Sequence, residues 1–220
     1  VGASAVTTIT GSVADIKTVA AAAGITKAAN WSTAPTDASV SVADANILNA
    51  ANGDGVITET ITEGDVATLK TLTGTNNAYT LTVSDTTAAA ADLIALDAMT
   101  TVAVGASKVT TITGLVADIK TVAAAAGITK AANWSAVPTD VSISVADANT
   151  LDAANGTGVI TATITAGAAT TLKTLTGTNN AYTLTVTDTT AAAADLIALD
   201  ARTTVAVGAG AVTTITGSVA

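Results

Sequence analysis

Short segments in which hydroxyl and branched apolar residues alternate recur along the chain. Their central residues are Ile9, Val40, Ile61, Leu81 and Ile112, and each has a Thr or Ser on both sides. A period of two is typical of a strand with one buried and one solvent-exposed face. The pattern therefore predicts a short strand at each of these positions.

A helical pattern follows each predicted strand. In one example Asp85-Thr86-Thr87 precedes an Ala-rich segment in which Ala89, Leu93 and Leu96 lie on one helical stripe. Ala is the best helix former, and Asp, Ser and Thr are good N-cap residues. We therefore predict a helix over about residues 88–98, capped by the polar residues before it.

Helix ends are indicated by capping patterns elsewhere in the first 75 residues. Thr62 and Asp65 have the spacing of a capping box, with Asp in place of Glu. Gly24, Gly53 and Gly74 follow three of the predicted helices and are expected at the C′ position, where glycine terminates a helix.

The chain repeats itself with a period of 103 residues and no insertion or deletion. Residues 1–103 and 104–206 are identical at 87 of 103 positions, and 207–220 begin a third copy. We therefore predict two full periods of four strand–helix units each, followed by the start of a third. The interruption of this third copy at Ala220 suggests an excerpt from a longer array.

Units of about 26 residues with one strand and one helix are typical of an α/β repeat solenoid. We predict short parallel strands in one long sheet, backed by short Ala-rich helices. At the usual strand spacing, one period would advance by roughly 19 Å. The alternative is an all-β solenoid in which the Ala-rich segments are loops, although Ala is depleted in strands.

Composition and charge exclude several classes of protein. The chain has no Cys and no His, which excludes disulfides, Cys- or His-ligated zinc, and catalysis by either residue. Its net charge of −9 gives no basic cluster for nucleic acid or for an anionic membrane. Thr or Asp interrupts each apolar stretch, so no membrane span is predicted.

One segment and its second copy resemble tandem repeats of very large secreted or cell-surface bacterial proteins, notably those of cyanobacteria. The resemblance rests on Leu93-Ile94-Ala95-Leu96-Asp97-Ala98 and on the same letters at 196–201. It implies a structural segment of a giant extracellular protein. The Gly-Gly-x-Gly-x-Asp calcium repeat that often accompanies such proteins is missing, so no calcium dependence is implied.

Candidate catalytic acids fail a simple comparison between the two copies. Glu59, Glu63 and Asp65 become Ala in the second copy, so we interpret them as solvated surface charges and predict no enzymatic activity. No cofactor is predicted. Residues 52–55 could supply oxygen ligands to calcium, but Asp54 becomes Thr157 in the second copy, so a simple turn is favoured.

Two aromatic residues in each period could bind sugars or fill the core. Trp31 lies in the longest unit and Tyr79 just before a predicted strand, and both recur in the second copy. Because large apolar side chains are scarce here, we predict packing in the interior.

Other polar residues suggest sites for glycans or ligands. Asn30, Asn133 and Asn155 match the N-glycosylation pattern. If the predicted strands stack in register, their hydroxyl groups form two parallel files, which resembles the ice-binding face of β-solenoid antifreeze proteins. The plainer interpretation is a solvated strand face. The candidate residues are Thr8, Thr10, Ser39, Ser41, Thr60, Thr62, Thr80, Thr82, Thr111 and Thr113.

Taken together, the sequence predicts a non-catalytic segment of a fibre, filament, sheath, S-layer or adhesin stalk. We expect it outside the cell or at the cell surface, with neighbouring repeats or identical chains as partners. The alternative is an ice-binding or carbohydrate-binding solenoid that uses the hydroxyl files.

Overall fold

A computed structural model of the protein describes residues 2–3 and 6–217, with side chains from residue 6 onward. This part of the chain contains fifteen short strands and eight helices, with one or two strands before each helix. The predicted mixed α/β class is confirmed. The all-β alternative is wrong, because the Ala-rich segments form helices.

The strands are two to four residues long. In chain order they are β1 (Gly2–Ala3), β2 (Thr8–Gly11), β3 (Thr26–Lys27), β4 (Ser32–Pro35), β5 (Thr58–Thr60), β6 (Ala78–Thr80), β7 (Thr87–Ala89), β8 (Val104–Ala106), β9 (Thr111–Gly114), β10 (Ile128–Lys130), β11 (Ser135–Pro138), β12 (Thr161–Thr163), β13 (Ala181–Thr183), β14 (Thr190–Ala192) and β15 (Thr214–Thr216).

The helices are also short, with at most ten residues each. They are α1 (Val13–Ala21), α2 (Val42–Ala51), α3 (Val66–Leu69), α4 (Ala90–Ala98), α5 (Val116–Ala124), α6 (Val145–Ala154), α7 (Ala169–Leu172) and α8 (Ala193–Asp200). Among the described residues, none of these helices has the length and apolar character needed to span a lipid bilayer.

Two compact units share the chain. The first comprises Val1–Ala88, Asp92–Val109 and Ala125–Lys130, and the second comprises Ala89–Ala91, Thr110–Ala124 and Ala131–Ala220.

Strands of the first compact unit pair in parallel. The pairs are β1 with β3, β2 with β4, β5 with β6, and β8 with β10. Isolated parallel bridges, such as Thr33 to Ile57 and Thr82 to Gly105, continue the pairing beyond these strands. Helix α1 packs on α2 in this unit.

The second compact unit repeats this arrangement. Strand β9 pairs with β11, β12 with β13, and β14 with β15, all in parallel. Helix α5 packs on α6, and α7 packs on α8. The same types of pairing therefore recur at positions related by the period of the sequence.

The prediction of one long sheet is wrong, because the strands form small separate sheets. Unequal loops explain the interruption. Thr33 bridges to Ile57, and Val40 bridges to Ile61. Seven positions separate the first residues of these two bridges, but only four separate their partners. The extra residues cannot pair, and the ladder stops there.

Two helices, α4 and α3, begin at residues other than those predicted. The Thr87–Ala89 segment is strand β7, so α4 begins at Ala90 and not directly after Asp85-Thr86-Thr87. In the second case Asp65, and not Thr62, is the N-cap residue, and its side chain accepts a hydrogen bond from the Thr68 backbone nitrogen. Hydrogen bonds from the side chain and then the backbone of Thr68 lower the pKa of the Asp65 carboxyl group.

The prediction of a C′ glycine is confirmed at one of three positions. Gly53 follows Asn52, the C-cap residue of α2, and its φ of 63° favours glycine over residues with a Cβ atom. Gly74 also has a positive φ, 82°, but it lies in the loop beyond Lys70, the C-cap residue of α3, so its prediction as a C′ residue is wrong. Gly24 does not have positive φ, and α1 ends instead with an extended residue, Ala22.

The core consists of aliphatic side chains from both element types, together with the aromatic residues. Trp31 and Trp134 are each 1% exposed, and Tyr79 and Tyr182 are fully buried. The predicted packing role of Trp31 and Tyr79 is therefore confirmed. Burial raises the pKa of the Tyr79 hydroxyl to about 12.

Candidate functional site: the hydroxyl files and the junctions between segments

The hydroxyl files exist in the first compact unit over three strand–helix segments, where a segment is a strand with the helix and loop that follow it. Thr60 pairs directly with Thr80. The bridge between Val40 and Ile61 places Ser39 beside Thr60 and Ser41 beside Thr62. The Thr62 hydroxyl donates to Ser39 Oγ at 2.8 Å, so the two files also contact each other.

Thr8 and Thr10 do not belong to these files. They pair with Ser32 and Ala34, and not with Ser39 and Ser41 as the aligned triplets predicted. The physical reason is that β4, which comes before Ser39–Ser41 in the chain, pairs with β2. The Ser39–Ser41 triplet was expected to make that pairing. The files also end at Thr82, which lies opposite Gly105.

In the second period, the first pair of candidate threonines likewise does not belong to the files. Thr111 and Thr113 are half-buried and pair with Ser135 and Val137 of β11. The hydroxyl face thus consists of three-rung patches interrupted by Ala, Val or Gly. Ice or sugar binding by this face stays a prediction.

Two of the three candidate glycosylation residues are accessible. Asn30 and Asn133 are exposed, and their side-chain oxygens accept from the backbone nitrogens of Asp54 and Thr157. Asn155 is fully buried and its Nδ2 donates to Gly158 O at 2.7 Å. Because Nδ2 is the atom that would carry the glycan, the structure contradicts Asn155 as an acceptor.

Residues 52–55, the candidate calcium loop, form a turn after α2. Asn52 is fully buried, and its Nδ2 donates to the Gly55 carbonyl oxygen. Across residues 2–3 and 6–217, no three Asp or Glu side chains lie close enough together to hold a metal ion.

Glu59 and Glu63 are not the solvated charges that the copy comparison indicated. Glu59 is only 9% exposed, lies opposite Tyr79 and accepts from the Thr60 nitrogen. Its burial raises the pKa of its carboxyl group. Glu63 Oε2 accepts from the Val42 backbone nitrogen at 2.9 Å, at the start of α2.

The Glu63 contact is one of a series of bonds between consecutive segments. In each, a carboxylate accepts from the first backbone nitrogen of the helix in the preceding segment, at 2.6–2.9 Å. Such nitrogens have no partner within their own helix, and a negative charge suits the helix N-terminus. The pairs are Asp37 with Val13, Glu63 with Val42, Asp85 with Val66, Asp140 with Val116, and Asp188 with Ala169.

A cleft of about 580 Å³ lies where this series is interrupted in the second compact unit. It is lined by Val145, Ala166 and Leu172, among others. Ala166 stands where the first copy has Glu63, so Val145 lacks the carboxylate that its counterpart Val42 has.

Ion pairs form a second link between consecutive helices. Each pair joins a lysine within one helix or at its C-cap to an aspartate in the first turn of the next helix, at 2.6–2.9 Å. They are Lys17–Asp44, Lys70–Asp92, Lys120–Asp147 and Lys173–Asp195. Hydrogen bonds from Lys17 and Lys120 lower the pKa of Asp44 and Asp147.

Buried asparagines form a third link. Asn77 Oδ1 accepts from the Ile57 nitrogen at 2.8 Å, and its Nδ2 donates to Asn49 Oδ1 at 2.9 Å. Asn180 makes the same two bonds to Ile160 and to Asp152. These residues satisfy backbone groups that would otherwise be buried without a partner.

Sequence reasoning missed the capping carboxylates and the buried asparagines. Recurrence in both copies at Asp37/Asp140, Asp85/Asp188 and Asn77/Asn180 was an available signal. Their partners lie 19–28 residues away, so no local motif reveals them.

No protein-family model matches the chain, and neither a curated protein nor a solved structure shows a significant match.

Proposed function

We propose that the chain is a non-catalytic structural segment of a long repetitive protein, built as an α/β solenoid. In this proposal the protein forms a fibre, filament, sheath, S-layer or adhesin stalk outside the cell or at its surface. The observation that carries the proposal is that the recurrent polar residues bond one strand–helix segment to the next.

The capping carboxylates support a role in stacking. Each is supplied by the segment that follows the helix it caps, so a helix is complete only when its neighbour is in place. An uncapped helix start leaves backbone donors without partners. Stability is therefore shared between neighbours, as in repeat proteins generally.

The ion pairs and buried asparagines support the same role. A lysine and an aspartate face each other across adjacent helices at equivalent positions of both copies. Asn77 and Asn180 each bond to two residues of the preceding segment. Residues that would be candidates for catalysis in an enzyme are here engaged in holding segments together.

Composition and resemblance support an extracellular location. A chain without Cys has no thiol to oxidise outside the cell, and its acidic charge favours solubility. The 93–98 segment and its second copy resemble repeats of giant bacterial surface proteins.

Small-angle scattering of chains with different numbers of periods would test the solenoid. One chain is the 220-residue protein, and the other carries one additional 103-residue period inserted after residue 206. We expect the longest dimension to grow by roughly 19 Å per period while the cross-section stays constant. Growth of the cross-section with no axial increment would contradict the proposal. Electron microscopy of assembled material would then show whether the axial repeat matches.

A further inference from the structure

The cleft at the start of α6 lies within the second compact unit and has a volume of about 580 Å³. Volumes of this size are typical of sites that bind small molecules. Val145, Ala166 and Leu172 contribute apolar side chains to its wall, and Ser144 and Thr165 contribute hydroxyl groups. This mixed lining suits an organic ligand that has both an apolar part and a polar part.

The start of α2 shows which chemical group this position binds in the first copy. Residues 41–46 and 144–149 have the same sequence, Ser-Val-Ala-Asp-Ala-Asn. In α2, Glu63 Oε2 accepts a hydrogen bond from the Val42 nitrogen at 2.9 Å, and Val42 is only 4% exposed. The same backbone donor on the same helix sequence therefore already binds a carboxylate in this molecule.

The equivalent donor of α6 has no such partner. Val145 is partly exposed, and in the part of the chain that the structure describes no acceptor bonds to its nitrogen. The cap beside it is unchanged, since Ser144 Oγ accepts from the Asp147 nitrogen at 3.0 Å. A free backbone donor at the start of a helix attracts an anion, because the helix dipole is positive at that end.

The backbone that faces this donor is held as it is in the first copy. The Thr165 nitrogen donates to the Ile143 carbonyl oxygen at 2.9 Å, and the equivalent bond of the first copy has the same length. The next residue, Ala166, therefore stands at the place of Glu63 and keeps its Cβ atom. What the second copy lacks is a methylene–carboxylate group, which a small carboxylate in the cleft can replace.

The distribution of charge also favours an anion at α6. Glu63 and Asp65, which lie on the loop that faces α2, are both Ala in the second copy. The acid in the first turn of α6, Asp147, is paired with Lys120 at 2.7 Å. The cleft therefore has less negative charge around it than the same region of the first copy, which lowers the repulsion that an anionic ligand meets.

We propose that the cleft at the start of α6 binds a small organic carboxylate. One carboxylate oxygen accepts from the Val145 nitrogen, and the aliphatic stem lies beside Ala166. The cleft is larger than the missing glutamate atoms, so it admits a longer stem than that of glutamate. This site goes beyond the stacking role and does not depend on the solenoid, because all its residues lie in one compact unit.

Titration of the 220-residue protein with sodium propionate, followed by amide NMR spectra, tests the site. We expect a saturable shift of the Val145 amide with a Kd of about 1–100 mM, since so small a ligand gains little free energy on binding. The Val42 amide should show no saturable shift, because Glu63 is already its acceptor.

Two control ligands show whether the carboxylate is what binds. Neutral propionamide has the same stem without the charge, and sodium chloride supplies the same ionic strength without the stem. Neither should produce a saturable shift at Val145. An absent response to propionate, or an equal response to propionamide or chloride, would overturn the proposal.

Reciprocal variants locate the site. In Ala166→Glu the new carboxylate occupies the Val145 donor, so propionate should no longer shift that amide. In Glu63→Ala the Val42 amide should gain a saturable response that the parent protein lacks. Unchanged binding in Ala166→Glu would overturn the location, and the dispersion of the amide spectra shows whether each variant is folded.

The length of the stem tests the role of the cleft walls. From acetate to propionate to butyrate, each methylene that becomes buried should tighten binding by up to about fourfold. Equal Kd values for the three acids would overturn the cleft as the binding site, because the helix start alone does not distinguish stems.

Discussion

Asp37 Oδ2 accepts a hydrogen bond of 2.7 Å from the backbone nitrogen of Val13, although 24 residues separate the two in sequence. The aspartate thereby completes the start of a helix in the preceding strand–helix segment. Asp140 and Val116 make the same contact one period later, also at 2.7 Å. Local helix stability in this chain therefore depends on the neighbouring segment.

The Glu63/Ala166 difference between copies provides a test of this dependence. Replacing Ala166 with Glu should place a carboxylate beside the Val145 nitrogen and fill part of the cleft. We expect stabilisation by about 1 kcal/mol, since a cap and a favourable charge at the helix start both contribute. Urea unfolding of the variant and the parent protein measures the difference.

The reciprocal substitution is the matched control. Glu63→Ala should destabilise the protein by a similar amount, because Val42 loses its acceptor. If Glu63→Ala is neutral, or Ala166→Glu is destabilising, the carboxylate cap does not contribute as proposed.

The sequence predicts a strand only where a branched apolar residue has a Thr or Ser on both sides. The triplets around Ile9 and Ile112 fall within β2 and β9 as expected. The triplet around Val40 is a single bridge, and Ser41 there is the N-cap residue of α2. A hydroxyl next to a branched residue suits both a strand and a helix start, so the local pattern does not separate them.

Strands without this alternation could not be predicted locally. Strand β4 contains Ala34 and Pro35, which disfavour strands, and β7 begins an Ala run that reads as helix. Pairing with a neighbouring strand decides their conformation. Likewise Glu63 reads as a surface charge until its partner, Val42, is brought close by the fold.

Burial of the Glu59 carboxyl group should make the stability of the folded protein depend on pH. Burial raises the pKa of its carboxyl group in the folded protein. The stability it contributes is therefore fully present below the unfolded pKa and is lost as pH rises through the folded pKa. Relative to Glu59→Ala, the parent protein should become less stable between about pH 3 and pH 7. Chemical unfolding of both proteins across this range measures the difference.

The second copy supplies the control for Glu59. Ala162 occupies the equivalent position, so Ala162→Glu should introduce the same trend in the second compact unit. A stability difference that is independent of pH in both variants would show that burial of the carboxylate has no energetic consequence.

The Lys120–Asp147 ion pair should make a small contribution that depends on pH. The hydrogen bond from Lys120 holds the pKa of Asp147 below its usual value. The contribution is present above the unfolded pKa and is lost as pH falls through the folded pKa. Because both side chains are partly exposed, we expect Lys120→Met to cost roughly 0.2–1 kcal/mol near neutral pH.

Added salt and a second lysine make the ion-pair test specific. The cost of Lys120→Met should shrink in high salt, since exposed charges are screened. Lys108 is exposed and, within the described part of the chain, takes part in none of the ion pairs between helices. Lys108→Met should therefore cost less, and equal costs for the two variants would contradict a specific pair.

Asn180 should contribute more to the stability of the fold than its exposed neighbour, Asn179. Its side chain is fully buried and accepts from the Ile160 nitrogen at 2.8 Å. Asn180→Ala leaves that buried donor without a partner, at an expected cost of about 1–3 kcal/mol. The control is Asn179→Ala, because Asn179 is exposed and water can replace its bond to the Thr157 carbonyl oxygen. Urea unfolding of the two variants should give the larger loss for Asn180. Equal losses would mean that the buried asparagine does not link its segments.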